Sequence, residues 1–379
     1  MKFFHWAIIG IAAITEISCI RQDPLNAECD ILEVSLPGNV LNRQPLIEND
    51  KVTLIVKNDV SLMNLAPAFK LTPGATIEPA SGTSRSFLVP QVYTVTSEDR
   101  KWSKKYLVTV EKNNTISLNY NFDHVRIVNA LGGASSYDVF YEIGPTGNET
   151  LEWASANKAF ALTFQGSMPN TFPTYQGDDG VDGHCAVLVT RSTGSYGQRL
   201  GKPIASGNLF LGTFDMTEAI SKPLEATHFG VPFNNIPSQF SGYYKYAPGE
   251  TYCEPGADGK LVPVPGKTDS FSLYSVFFET EPGHEWLDGT NVLAADNPYI
   301  ISTAEISDPQ ASEEWVEFSV PFVLRSGKSI DIQKLKDGKY SIAIVMGSSS
   351  DGERFCGAIG STLKVDELSI TCVADSEEN

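Results

Sequence analysis

Positive charge is scarce in this chain of 379 residues: 28 Lys and Arg stand against 46 Asp and Glu, a formal net charge of −18. Phosphate backbones are held by an excess of Lys and Arg, so this balance excludes a nucleic-acid partner. Cysteine is scarce too, and its six residues form no CxxC pair and no Cys/His group with zinc spacing. The five histidines show no metal-ligand spacing either. There is no Gly-x-Gly-x-x-Gly, no P-loop and no Gly-x-Ser-x-Gly elbow, which removes the common nucleotide sites and the α/β-hydrolase nucleophile. Helical periodicity is nearly missing, with Met216 to Ser221 the one short candidate. No 20–50-residue repeat is visible. After the N-terminus no apolar run approaches the roughly 20 residues that a membrane-spanning helix needs.

The N-terminus itself reads as an export signal over residues 1–18. Lys2 supplies a positive start, and Phe3 to Ile14 is an apolar run broken only by His5. About a dozen residues are too few to span a bilayer as a helix. The run ends in Glu16-Ile17-Ser18-Cys19, which resembles the lipobox of bacterial lipoproteins, with Glu16 departing from the usual aliphatic residue. That resemblance implies lipidation at Cys19 and a chain tethered at the outer membrane, residues 19–29 forming a spacer. The alternative is a plain secretory signal with an incidental Cys. Five other cysteines, Cys29, Cys185, Cys253, Cys356 and Cys372, are too few and too spread for a disulfide framework. They read as small buried hydrophobes or one optional bridge.

What the chain has in abundance is strand composition. Residues 30–112 carry β-branched or aromatic runs at Val52–Val56, Ser86–Val89, Gln91–Val95 and Tyr106–Val110, punctuated by Pro73-Gly74 and Ser81-Gly82. Charge divides sharply at the polar stretch Lys112-Asn113-Asn114-Thr115. Residues 30–112 hold 10 basic and 9 acidic side chains, whereas residues 113–379 hold 16 and 34. A boundary is expected there. The larger segment carries further runs at Cys185–Thr190, Asn208–Phe214, Phe271–Phe278, Trp315–Val320 and Tyr340–Val345, several alternating polar with apolar as half-buried strands do. The expected fold is all-β: a small β-sandwich followed by a large two-sheet sandwich of jelly-roll type.

Two resemblances sharpen this. Tyr93–Asp99 followed by Lys105–Val110, after the turn Leu71-Thr72-Pro73-Gly74-Ala75, is similar to the closing hairpin of the immunoglobulin-like domains of Bacteroidetes surface lipoproteins. Trp102 is expected beside its tip as a packing aromatic. In the larger segment, Ala205-Ser206-Gly207-Asn208-Leu209-Phe210-Leu211-Gly212, Phe229-Gly230-Val231-Pro232-Phe233, Ser241–Gly249 and Gly360–Ile370 resemble the carbohydrate metabolism domain (PCMD) of Bacteroidetes lipoproteins. That resemblance implies a jelly roll like those of carbohydrate-binding modules, and a glycan as partner. Jelly-roll modules often hold a structural calcium between their first and last strands. Asp123 and Asp366 are the analogous pair here, the alternative being two solvated acids.

A sugar site needs an exposed aromatic plate for the apolar C–H face and planar polar groups for the hydroxyls. Trp286, in His284-Glu285-Trp286-Leu287-Asp288-Gly289, and Trp153, in Glu152-Trp153-Ala154, have polar flanks and are the first candidates. Trp315 alternates cleanly with its neighbours and is expected to face the core. Tyr243 and Lys245 share one strand face, opposite Tyr244 and Tyr246. Tyr175, Tyr196 and Arg199 are candidates for a rim. Asp178, Asp179 and Asp182, interspersed with glycines, lack the spacing of a calcium loop and read as a solvated loop. For hydrolysis, two carboxyls must flank one bond, about 5 Å or 6.5–9.5 Å apart. Glu279 and Glu281, two residues apart at a strand end, are the candidate pair. Glycan binding at the cell surface is thus the leading expectation. Glycoside hydrolysis on the same scaffold, or a structural or adhesive role with an outer-membrane protein partner, are the alternatives.

Overall fold

The computed structural model describes residues 25–373, apart from 39, 42–44, 57–59, 113–117, 131–132, 134, 145–146 and 164. The signal segment, Cys19 and the expected boundary at residues 113–115 lie outside the described residues. The fold is all-β, with 46% strand against 7% helix, and two separate hydrophobic cores.

The first core belongs to residues 31–110. A five-stranded sheet runs Leu46–Ile47, Lys51–Val56, Ser103–Lys112, Gln91–Thr96, Thr76–Glu78, with Lys51–Val56 parallel to Ser103–Lys112. A two-stranded sheet, Ile31–Ser35 with Ala68–Leu71, completes the sandwich. Lys51–Val56 alternates strictly, burying Val52, Leu54 and Val56. The expected hairpin forms, with Thr96 opposite Ser103. Trp102 stands at its tip 62% exposed, so it is not a packing residue. Ser86–Val89 is not a strand, and Leu88 and Val89 are exposed ahead of Pro90, which has no N–H for a ladder.

The second core fills a larger sandwich. Its first sheet runs Thr174–Gly177, Cys185–Val189, Thr362–Cys372, Pro237–Ala247, Ser312–Pro321, with Asn119–Tyr120 also paired to Thr362–Cys372. Its second sheet runs Val323–Leu324, Ile300–Glu305, Ser272–Glu279, Tyr340–Gly347, Asn208–Phe214, Glu149–Ala154, Ser136–Ile143, Val125–Asn129. Pairing is antiparallel throughout. Side chains alternating inward from both sheets, such as Leu211, Phe240, Phe277, Ile342 and Val365, interdigitate between them.

Ser272–Glu279 and Tyr340–Gly347 break the alternation, being buried at nearly every position. Both faces of the second sheet are covered here: Phe229, Leu287 and Val292 pack on Phe210, Val276, Phe278 and Val345 from outside. Continuous apolar runs are what a doubly covered strand requires. The covering segments, 215–229 and 281–292, are mostly turns, and Met216–Ser221 is turn rather than helix. The cysteines among the described residues are free thiols. No helix among the described residues is long and apolar enough to cross a membrane.

Several carboxyls are buried in the larger sandwich, Asp138, Glu142, Asp269 and Asp366 among them. Glu142 is buried and accepts a hydrogen bond from Trp153 Nε1 at 2.9 Å. Burial pushes its carboxyl from 4.5 up to about 7, outweighing that bond. A carboxyl whose pKa rises on folding holds its proton more tightly in the native state. Stability therefore falls as pH climbs from the unfolded value through about 7, by roughly 3 kcal/mol for such a shift. Glu142→Gln keeps an oxygen for Trp153 and removes the ionisation. Relative to wild type, thermal melts should show the variant gaining stability between pH 4 and pH 8; melting curves that stay parallel across that range would refute this.

Candidate functional site

Trp286 is presented by alternation. In the loop after Ser272–Glu279, Leu287 exchanges both backbone hydrogen bonds with Phe229, 2.6 and 3.0 Å, and buries its side chain in the covering cluster. Its neighbour Trp286 must then point the other way, and it is 45% exposed. One face of the indole rests on His228, with centroids 4.3 Å apart and planes 23° from parallel. His228 lies on Thr227–Phe229, opposite Thr213 of Asn208–Phe214. The close pairing depends on Gly212, with φ +141°, where a Cβ would come 2.0 Å from the His228 carbonyl oxygen.

His228 also meets two acids. Ligand atoms of Asp215, Glu218 and His228 lie within 4.8 Å of one another. Their spacing in the sequence hides the group, because residues 219–227 separate His228 from the two acids. Such a mixed imidazole and carboxylate set suits a transition metal such as zinc better than calcium. Asp215 Oδ1 accepts from Thr217 N and Oγ1, both 2.7 Å, and the Thr217 hydroxyl is the main cause holding its carboxyl below the usual range. Next along, His284 stacks on Tyr299 with centroids 4.5 Å apart, and Tyr299 donates its hydroxyl to Glu281. Glu279 is held instead by Lys334. The structure thus gives the two candidate carboxyls separate partners.

Trp153 is not a plate. It is 2% exposed, paired to Leu211 and packed edge-on against Tyr120. Its polar flank came from strand alternation: Glu152 points out to Arg126 while Trp153 points in. Trp315 is the converse case, expected in the core and found outside it. Val316, Phe318 and Val320 take the core side, which puts Trp315 and Glu317 outside. There Trp315 joins Tyr175 on a satellite cluster with Cys185, Val187 and Val189. Register aligns Tyr175, Val187, Lys364 and Lys245 across the sheet, and the Lys245 ammonium sits 4.9 Å from the Trp315 ring centroid. Tyr243 is on this face, half-buried, opposite Glu317, while Tyr244 and Tyr246 are in the core. Tyr196 and Arg199 lie on the short helix Gly194–Arg199; Arg199 is exposed and Tyr196 lines a cavity described below.

Asp123 and Asp366 do come together with one loop, but as a clasp. Asp366 is fully buried; Oδ2 accepts from Val181 N at 2.6 Å and Asp182 N at 3.3 Å, and Oδ1 from Glu367 N at 2.8 Å. Asp123 Oδ1 accepts from His184 N at 3.0 Å. Burial raises the Asp366 carboxyl to about 6 against those three amides. Calcium requires six to eight oxygens, whereas N–H groups face these carboxylates, so the donor set does not fit the ion. The loop 178–184 is therefore anchored rather than loosely solvated, with Asp179 also paired to Lys364 at 2.7 Å. Removing the clasp by Asp366→Ala leaves three amides unpaired. Hydrogen exchange across residues 180–183 should accelerate by about tenfold or more, since bonds to charged groups contribute about 1.5–3 kcal/mol each. Unchanged protection would show that the loop is held by other contacts.

Residues 121–371 match the family described as "Putative carbohydrate metabolism domain". Residues 31–110 match the domain described as "SGBP, N-terminal". Among solved structures, a Bacteroides thetaiotaomicron protein described as a "putative glycoside hydrolase" is 44% identical and superposes with a TM-score of 0.81, over 94% of this chain and 100% of its own. A Bacteroides vulgatus protein described in the same words is 39% identical with a TM-score of 0.61, over 68% of this chain and 99% of its own. No curated protein matches. With most of its length inside one family's bounds and a relative 44% identical across nearly all of it, the chain belongs to the "Putative carbohydrate metabolism domain" family.

Proposed function

We propose that this chain is an exported glycan-binding protein whose contact centre is Trp286. The observation that carries the reading is the indole itself: exposed, yet held flat against His228. A plate braced on one side loses little freedom when a sugar ring settles on it. Asp215 and Glu218, gathered at His228, supply planar acceptors for hydroxyls beside that plate. Tyr299 and Glu281 extend the polar rim. The carbohydrate-related family and an N-terminal domain type named for surface glycan-binding proteins support both the ligand class and a surface location. Anchoring through a lipid on Cys19 is part of this proposal.

Glycan hydrolysis is the second reading, favoured by the description given to the Bacteroides thetaiotaomicron relative. The two separate in one experiment. Glycans found on an array are titrated against wild type, Trp286→Ala, Trp315→Ala and Trp153→Phe, while released sugar is measured. Trp286→Ala should weaken binding about tenfold or more, the loss of one stacked ring, while Trp153→Phe and Trp315→Ala bind as wild type. Binding lost only in Trp315→Ala would move the site to the face that carries Tyr175, Tyr243 and Lys245. Sugar release abolished by Glu281→Gln or Glu279→Gln would replace binding with hydrolysis.

A further inference from the structure

The strand Thr227–Phe229 separates two surfaces. His228 faces the Trp286 plate, whereas Thr227 and Phe229 line a cavity of about 240 Å³ that the glycan reading leaves unused. Its floor is the covered face of the second sheet. Its walls are mainly apolar, and the rings of Phe160, Tyr196, Phe210, Phe214, Tyr274 and Phe355 are among them. Dense interiors leave few voids of this size, and an apolar space that water does not favour is receptive to an apolar guest.

The polar groups of the cavity narrow the class of guest. Lys202 is its one Lys or Arg; it donates to the carbonyls of Ala219 and Ile220 and lies 5.6 Å from the Phe355 ring centroid, so it is already engaged. The one other charged-type side chain in the lining is the carboxyl of Glu353, so the cavity offers an anion no free cation. Four lining residues, Tyr196, Ser272, Tyr274 and the exposed Ser350, carry hydroxyls with no hydrogen-bond partner among the described residues, and Tyr274 is only 7% exposed. A sugar would bring four or five hydroxyls to walls that can answer few of them, at a cost for each left unpaired. A flat ring with one or two polar groups matches both the walls and the hydroxyls. We propose that this cavity is a second binding site, for a small neutral aromatic molecule of phenol or aryl-ester type, independent of the glycan contact at Trp286.

The test uses the exported chain and a neutral fluorophore, N-phenyl-1-naphthylamine. Its emission should rise and saturate at one equivalent, and methyl 4-hydroxybenzoate should displace it while glucose and the benzoate anion do not. Ala219→Trp, on the covering turn, and Leu200→Trp, at the end of the helix Gly194–Arg199, each place a ring at the cavity lining. Each should weaken the fluorophore at least tenfold without altering glycan binding, and the pair guards against one variant failing to fold. Tyr274→Phe should retain the fluorophore but weaken the phenolic ester severalfold. No saturable fluorescence in the wild type, or equal binding in both filled variants, overturns the proposal. So does displacement by glucose or benzoate as readily as by the ester.

Discussion

The larger sandwich depends on how its last long strand, Thr362–Cys372, sits between its neighbours. It pairs with Pro237–Ala247 over its whole length and with Cys185–Val189 on the other side, and Asn119–Tyr120 closes beside it. Residues from both ends of the family region are thereby locked in one sheet. The register shifts between Ser241 and Tyr243, where the partner strand carries Asp366 and Glu367, the latter in the left-handed region at φ +49°. A bulge adds one residue to a face. Here it turns Asp366 outward beneath the loop 178–184, where its carboxylate collects three amides. Gly180 permits the approach, since a Cβ would lie 2.5 Å from the His184 carbonyl oxygen and 2.8 Å from Asp366 Oδ2. The same register carries Tyr175, Lys364, Lys245 and Trp315 into one row. One displaced residue would send that row into the core.

The second sheet meets a different constraint. A sheet covered on both faces needs something outside it, and here that cover is built from turns. Turns bury their backbone poorly, so their side chains divide between anchors and exposed groups. Leu287, Phe229 and Val292 are the anchors; Trp286 and His228 are what the anchoring leaves outside. Because turns cannot tile a sheet as closely as a third sheet would, they leave the aromatic cavity between them. The plate and the cavity are two consequences of one irregular cover.

The sequence made the β architecture legible because β-branched runs and turn residues recur along it, and five of the expected strands of the larger sandwich form where composition placed them. Faces were harder to read. Polar neighbours around Trp153 signified alternation, not exposure. In Trp315-Val316-Glu317-Phe318 the alternation was clear, but which half faces inward depends on the apolar set Val316, Phe318 and Val320. Trp286 was legible for a reason the sequence could not supply, namely that Leu287 is pinned by Phe229, 58 residues earlier. Asp215, Glu218 and His228 converge only after the turn segment closes, and no spacing rule reaches them. That Asp123 and Asp366 lie near each other followed from the resemblance to jelly-roll modules, but the loop they both hold read as merely solvated. Their partners were not legible, because backbone amides leave no mark in composition.

The distribution of carboxyl groups bears on binding against hydrolysis. A general acid needs a raised pKa and an open path to the glycosidic oxygen. Burial raises Glu142, Asp138 and Asp366, but each lies inside the sandwich or under a loop, engaged by Trp153, by Gln176 N or by the clasp amides. Near Trp286 the environment works the other way, since Thr217 keeps Asp215 ionised and hence an acceptor. That is chemistry for holding hydroxyls. Glu353 stands apart. Burial raises it at the cavity, and its neighbour Asp351 is driven in the opposite direction: burial pushes Asp351 up, but Tyr252, Lys267 and Arg354 outweigh it and hold the carboxyl at about 2. At the cavity wall burial and charge thus act in opposite senses on adjacent carboxyls, and Asp351 stays the ionised partner of Lys267 and Arg354.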